Sequence, residues 1–266
     1  MRLSIHHQTL YRYEIPLQYS IQQLRLTPVP SATQFVAHWE IQAPSKLEAA
    51  MDAYGNAMHT LVVNRPVSQI AVTVSGEIET VPLQDGRLLD GPGRIPLEHF
   101  TCATRLTEPD AAIISLAHSV PTLDTPAGLI ELAAQIAERV TYTSGVTGVT
   151  TGAQDALALG QGVCQDHVHL MLACCRARGV PARYVSGYFD PGDVPEMASH
   201  AWADIWMKDQ GWISVDVTNA RFPSGPYCRL AVGSDYDSAA PVRGTRAGGG
   251  AEAMNVEVDV HVVVNQ

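Results

Sequence analysis

Alternation is the first signal along the chain. Leu3, Ile5, His7, Thr9 and Tyr11 fall at every second position, which places them on one face of a strand. A second run, Ile21 to Thr27, stops at Pro28 and Pro30, and Phe35 to Ile41 makes a third. Ile70, Val72, Val74, Gly76 and Ile78 alternate in a fourth, while Tyr54-Gly55-Asn56 marks a turn between apolar runs. Short strands separated by turn signals predict an antiparallel β-sandwich over residues 1–95. The segment from Asp85-Gly86 to Gly91-Pro92-Gly93 reads as the linker that leaves it.

Beyond the linker the period lengthens. Residues 108–118 read as a helix. Thr125-Pro126 is a cap followed by a first-turn proline. Leu129, Leu132, Ala133, Ile136 and Val140 then recur at helical spacing. Thr151 and Gln154 fit a capping box, with Gly160 ending that short helix. A further helix begins near Cys164, buries Val168, Met171, Leu172 and Cys175, and stops at Gly179-Val180-Pro181. Strands follow at 182–188, 200–207 and 212–218. Met254, Val256, Val258, Val260 and Val262 form one more after Gly248-Gly249-Gly250. The expected class is α+β: the N-terminal sandwich, then helices packed on an antiparallel sheet over 96–266, with the C-terminal strand in that second unit.

Composition narrows the function. At 266 residues with 46% hydrophobic and 17% charged, the chain can bury a core without staples. A net charge of −10 repels polyphosphate, so neither nucleic acid nor an anionic membrane is an expected partner. No stretch approaches the roughly 20 apolar residues of a spanning helix. Met1-Arg2 leads straight into a strand with no signal pattern, which predicts a cytoplasmic location. The five cysteines are odd in number, irregularly spaced and without a C-x-x-C pair, so neither a disulfide framework nor a structural zinc is expected.

One cysteine stands in a reactive setting. Gly160-Gln161-Gly162-Val163-Cys164 enters a helix, and the glycines permit a tight turn and close approach of a substrate. The positive end of the helix macrodipole favours thiolate over thiol there. A thiolate nucleophile needs a base, and the base an orienter. His200, Trp202, Asp204 and Trp206 share one face of a strand, and Trp212, Ser214, Asp216 and Thr218 share one face of the next. The turn Lys208-Asp209-Gln210-Gly211 makes the two a hairpin. His200 and Asp216 meet only if opposed residue numbers sum to an even value, which demands an odd loop or a bulge. The bland alternatives are a buried structural cysteine and a structural strand histidine.

The residues Gly162-Val163-Cys164-Gln165-Asp166, Arg176 through Tyr188, Ser199-His200-Ala201-Trp202, Gly211-Trp212 and Asp216 together resemble bacterial transglutaminase-like proteins. Tyr11-Arg12-Tyr13-Glu14, Gln23 through Pro28 and Tyr54-Gly55-Asn56 resemble the β domain preceding that core in one bacterial branch. The resemblance implies a papain-related core with Cys164 as nucleophile, His200 as base and Asp216 as orienter. Valine follows Asp216 where that branch often has proline. Gln161 and Gly162 are candidates at the oxyanion or substrate site, beside the backbone N–H of Cys164. Asp166, Tyr188 and Trp202 are further candidates; first-turn dipole complement is the competing role for Asp166, and core packing for Tyr188 and Tyr142. His167 is a rival base without an obvious carboxylate, and His169 lies on another side of the helix, so the pair makes no metal face.

The expected reaction is acyl transfer from an amide of a peptide or protein through a thioester, with hydrolysis ahead of cross-linking because no amine-binding signature is visible. No cofactor or metal is implied, calcium included, since no clustered acidic loop occurs. Two rivals differ in class. A non-catalytic binding or scaffold protein on the same fold would show no selective alkylation of Cys164. A metal site on Cys164, His200 and Asp216 would show stoichiometric metal on elemental analysis.

Overall fold

In the computed structural model, which describes residues 1–190, 192 and 199–263, the first two predicted runs merge into one strand, β1 (Arg2–Thr27). It is followed by β2 (Gln34–Gln42), β3 (Leu47–Met51), β4 (Ala57–Val63) and β5 (Val67–Thr80). Then come α1 (Ala111–Ala117), α2 (Pro126–Arg139), β6 (Thr141–Tyr142), α3 (Ala153–Leu159), β7 (Gln161–Gly162) and α4 (Cys164–Ala177). β8 (Ala182–Phe189), β9 (Ser199–Met207), β10 (Gly211–Val215) and β11 (Tyr227–Gly233) form a second sheet in the order β10-β9-β8-β11. Last are α5 (Tyr236–Ala239), β12 (Val242–Gly248) and β13 (Glu252–Val262).

The helix caps follow from the side chains. Asp110 accepts from Ile113 N at 2.8 Å to start α1, and Thr125 Oγ1 accepts from Gly128 N at 3.1 Å to start α2. α3 departs from expectation. Thr151 Oγ1 turns back to Gly148 N and Gln154 Nε2 reaches Glu108 O, so Gly152 is the cap and Asp155 takes its N–H. α4 is buried along most of its length. Val168, Met171 and Leu172 pack against Ala201, Ala203 and Ile205, alternate residues of β9, in the main core. That packing fixes the helix of Cys164 and the strand of His200 against each other.

The expected N-terminal antiparallel β region is present, and one expectation is corrected, the placement of the C-terminal strand. The N-terminal strands do not split into two separately bonded layers. They form one antiparallel sheet in the order β2-β5-β1-β4-β3, because β1 is long enough to serve two sets of neighbours. Its first half pairs with β5 and its second with β4, with register shifts near Leu17 and Leu24. The C-terminal strand does not join the catalytic sheet. β12 and β13 lie end to end along the other edge of β1, from Leu24↔Val242 to Leu3↔Val262. β1 offers a long open edge there, whereas β10 is flanked by the linker. Leu88 N donates to Trp212 O at 2.9 Å and Arg87 bridges Ile213, so the linker is docked rather than free.

The two units meet around a buried histidine. His7 Nε2 lies 2.8 Å from Thr9 Oγ1, and Nδ1 meets the hydroxyl of Tyr188 on β8. Burial, reinforced by His6, pushes His7 from the ordinary 6.5 down to about 4. Between those values the unfolded chain binds more protons than the folded one, so stability falls as pH drops through that window. Urea denaturation of His7→Gln is expected to show a shallower loss between pH 6.5 and 4 than the parent. Identical slopes would assign the loss to other buried imidazoles.

Candidate active site

The approach to Cys164 is built from short-range contacts. Gly160 ends α3 with φ +67°, a left-handed conformation that glycine adopts without strain. Gln161 and Gly162 then pair in parallel with Thr141 and Tyr142. A Cβ on Gly162 would stand 2.7 Å from Asp166 Oδ2, so only glycine lets the chain pass. Asp166 itself is fully buried. Its Oδ2 accepts from Val163 N at 2.8 Å and Thr147 Oγ1 at 2.7 Å. Those contacts make it a fastener of the helix entry. Cys164 occupies the first helical position, where the N–H has no intrahelical partner. It is partly buried, whereas Cys174, Cys175 and Cys228 are fully enclosed and burial pushes their thiols up. Cys102 is exposed and donates to Glu98 O at 3.5 Å.

The hairpin carries the other two groups in the required register. Met207 opposes Gly211 and Ala203 opposes Val215, so every opposed pair sums to an even number across a three-residue loop. Gly211 closes the loop at φ +82°. β10 ends at Val215, and Asp216 leaves the ladder to bridge Arg221, with N donating to Arg221 O at 2.8 Å. The strand is thus shorter than the predicted 212–218. His200 Nε2 lies 3.0 Å from Asp216 Oδ1, both side chains being almost wholly enclosed. The hydrogen bond and the charge attraction between the two act together on the ring. Burial opposes a charge on His200, but the contacts with Asp216 and Cys164 overcome it and raise the ring to about 10. With Nε2 turned to Asp216, Nδ1 is the nitrogen left for the thiol.

Sequence reasoning did not find the groups that hold Asp216. Tyr227 OH donates to Oδ2 at 2.6 Å, and Asn219 donates through Nδ2 at 2.7 Å and N at 3.2 Å. Arg221 supports Tyr227, with an N–O distance of 3.0 Å. Burial alone would push the Asp216 carboxyl up, but His200, Tyr227 and Asn219 hold it below the usual carboxylate range. Asn219 stands three residues past Asp216 and suits an Asx turn, a signal present in the sequence; Tyr227 lies on a strand that was not predicted. Tyr227→Phe is expected to lower kcat about tenfold, the cost of one hydrogen bond to a charged group. KM should change little, whereas the melting temperature should fall, because the buried carboxylate loses a donor. An unchanged kcat would mean Asn219 alone holds the carboxylate.

The remaining candidates separate. Gln161 is exposed beside the thiol, with its side chain turned to solvent. Trp202 packs against the His200 ring at 6.3 Å and edge-on to Tyr227 at 5.5 Å, walling the imidazole. Tyr188 sits on the opposite face of its sheet from His200, bound to His7. It belongs to the contact between units. His167 is tied at both nitrogens, Nδ1 to Thr218 Oγ1 at 3.0 Å and Nε2 to Val140 O at 2.8 Å, which removes it as a rival base. His169 Nε2 accepts from Tyr236 N at 3.2 Å. Asp204 anchors a buried ionic belt across the sheet. Arg183 on β8, Ser214 on β10 and Arg229 on β11 all donate to it, at 2.6–2.9 Å. Among the described residues no group of three or more His, Cys, Asp or Glu is placed to hold a metal. No helix of the described residues is long and apolar enough to cross a membrane.

A helix that presents a cysteine at its first turn to a histidine and aspartate on an antiparallel hairpin defines a papain-like core. Comparison with known proteins gives the particular branch. Residues 115–217 match the Transglutaminase-like superfamily, and residues 3–79 match the Bacterial transglutaminase-like N-terminal region. A relative in Mycobacterium tuberculosis, an uncharacterized protein, is 30% identical over 91% of this chain and 87% of its own. The protein-glutamine gamma-glutamyltransferase of Pseudomonas aeruginosa is 36% identical over 93 residues, 30% of this chain and 14% of that one. The solved structure of a provisionally described cysteine protease from Cytophaga hutchinsonii superposes with a TM-score of 0.78, at 20% identity, covering 100% of this chain and 92% of that one. The chain belongs to the bacterial transglutaminase-like family.

Proposed function

We propose that the protein is a cysteine-nucleophile enzyme that opens amide bonds of peptides or proteins, with water as the usual acceptor. The observation that carries the reading is the order Cys164, His200, Asp216, with His200 buried 3.0 Å from a well-anchored carboxylate. Thiolate of Cys164 attacks the carbonyl carbon, and the charge that develops on oxygen is met by the Cys164 N–H. The C–N bond breaks as imidazolium of His200 gives its proton to the leaving amine, leaving a thioester. His200, now neutral, takes a proton from water. The resulting attack releases a carboxylate and restores the thiol.

The sequence shows no amine-binding signature, which favours water as the acceptor of the thioester. The test is a peptide library incubated with and without a primary amine and read by mass spectrometry. Cleavage or deamidation that the amine does not divert is the expected outcome. Predominant amine incorporation would replace hydrolysis with transamidation, and no modification in either condition would sink the catalytic reading.

A further inference from the structure

β11 is the edge strand of the catalytic sheet, and side chains of the N-terminal unit finish that edge. Gln34 Oε1 accepts from Arg229 N at 2.8 Å, and its Nε2 donates to Arg229 O at 3.0 Å. One amide thus reproduces the paired main-chain bonds that a neighbouring strand would give. Asn56 does the same further along, with Oδ1 accepting from Val232 N and Nδ2 donating to Val232 O, each at 2.8 Å. Thr80 Oγ1 makes a third contact, donating to Gly225 O at 2.6 Å.

Two of these contacts enclose one residue. Gly225 and Arg229 flank Tyr227, whose hydroxyl donates to Asp216 Oδ2 at 2.6 Å. Gln34 opens β2 and Thr80 ends β5, and the two are directly opposed in that ladder, so both side chains leave one end of the sheet together. Both residues are buried. The loop leading into Tyr227 has little ladder of its own: Asp216 bridges Arg221, and Gly225 turns at φ +81° before β11 begins. Main-chain drift there would carry the Tyr227 hydroxyl off its acceptor, since a hydrogen bond weakens steeply as its geometry worsens.

We propose that Gln34 and Thr80 are positioning residues for the catalytic carboxylate, clamping the main chain on both sides of Tyr227 so that its hydroxyl holds Asp216 against His200. The N-terminal β unit is then part of the acyl-transfer machinery although it contributes no member of the triad. The inference rests on the acyl-transfer reading for its use, but the reactivity of the Cys164 thiol measures it apart from turnover.

The test is a double-mutant cycle read two ways, as kcat on a peptide that the parent cleaves and as the rate of Cys164 alkylation by iodoacetamide. Gln34→Met, which keeps the shape of the side chain, is expected to slow alkylation and to lower kcat about three- to tenfold with KM unchanged, the ceiling being the loss expected for Tyr227→Phe. Thr80→Val should act in the same direction, and Thr80→Ser, which keeps the hydroxyl, should recover most of that loss. Thr80→Val, the smaller change, carries the test if Gln34→Met does not fold. In a Tyr227→Phe background neither substitution should lower either rate further, because an effect passed through the hydroxyl ends when the hydroxyl is gone. Asn56→Leu removes an equivalent pair of contacts beyond Tyr227 and should lower the urea midpoint while leaving kcat near the parent's. Losses that multiply with Tyr227→Phe, or an equal loss of kcat in Asn56→Leu, would make these contacts a general brace and overturn the proposal. Unchanged rates in Gln34→Met and Thr80→Val would overturn it as well. Slowed alkylation in those variants with no turnover in the parent would keep the positioning and remove the acyl-transfer reading instead.

Discussion

His200→Ala is expected to lower turnover by about three to four orders of magnitude and to abolish preferential alkylation of Cys164. In the proposed cycle the ring performs two proton transfers. His167, the nearest by sequence, is committed to Thr218 and Val140. The same variant tests the linkage. His200 is raised from 6.5 to about 10, so the stability its charged form contributes is complete below 6.5 and is lost as pH rises through 10. The parent should weaken in urea across that alkaline window, and His200→Ala should not. Parent turnover should fall on the same limb, as the proton for the leaving amine is lost. A variant keeping more than about a tenth of parent turnover would place the base elsewhere.

Asp216→Ala is expected to cost turnover about a thousandfold. The carboxylate orients the ring and offsets the cost of burying its charge. Without it, burial dominates and the His200 ring drops, so the alkaline limb should move toward neutral pH. The fold should persist, because Asp216 lies past the end of β10 and removes no rung of the ladder. Leaving Tyr227 and Asn219 without their acceptor should still cost about 1–3 kcal/mol in chemical denaturation. Asp216→Asn separates the two contributions: partial rescue of kcat with the alkaline limb still displaced would mark charge as the larger. Full activity in Asp216→Ala would remove it from the site.

The chemistry was legible because it lies in short segments with local rules. The glycine turn before Cys164, the period-two hairpin and the parity of its register are all local, and together they bring His200 to Asp216. What lay outside that reach depends on long-range pairing. Nothing in Val242 to Val262 says that its partner is β1 and not the catalytic sheet, since an alternating run fits either edge. Tyr227 and Arg229 were invisible for a similar reason. Their strand is short and mostly apolar without a period-two alternation, because both of its faces are buried, Cys228 and Leu230 in one cluster and Tyr227 and Val232 in another. Asp166 carried the signal of a cap and of a site residue at once, and only its partners separate the two.

The clasp of β12 and β13 along β1 has a consequence for biosynthesis. β1 leaves the ribosome long before the segment that completes it, since Leu3 pairs with Val262. At about 5–20 residues per second, the first half of β1 waits roughly 10–50 s with one edge unfilled. An open strand edge of that length invites pairing with another chain. A nascent chain can therefore assemble the Cys164 helix and the His200 hairpin while β1 still has one open edge, until translation has passed residue 262.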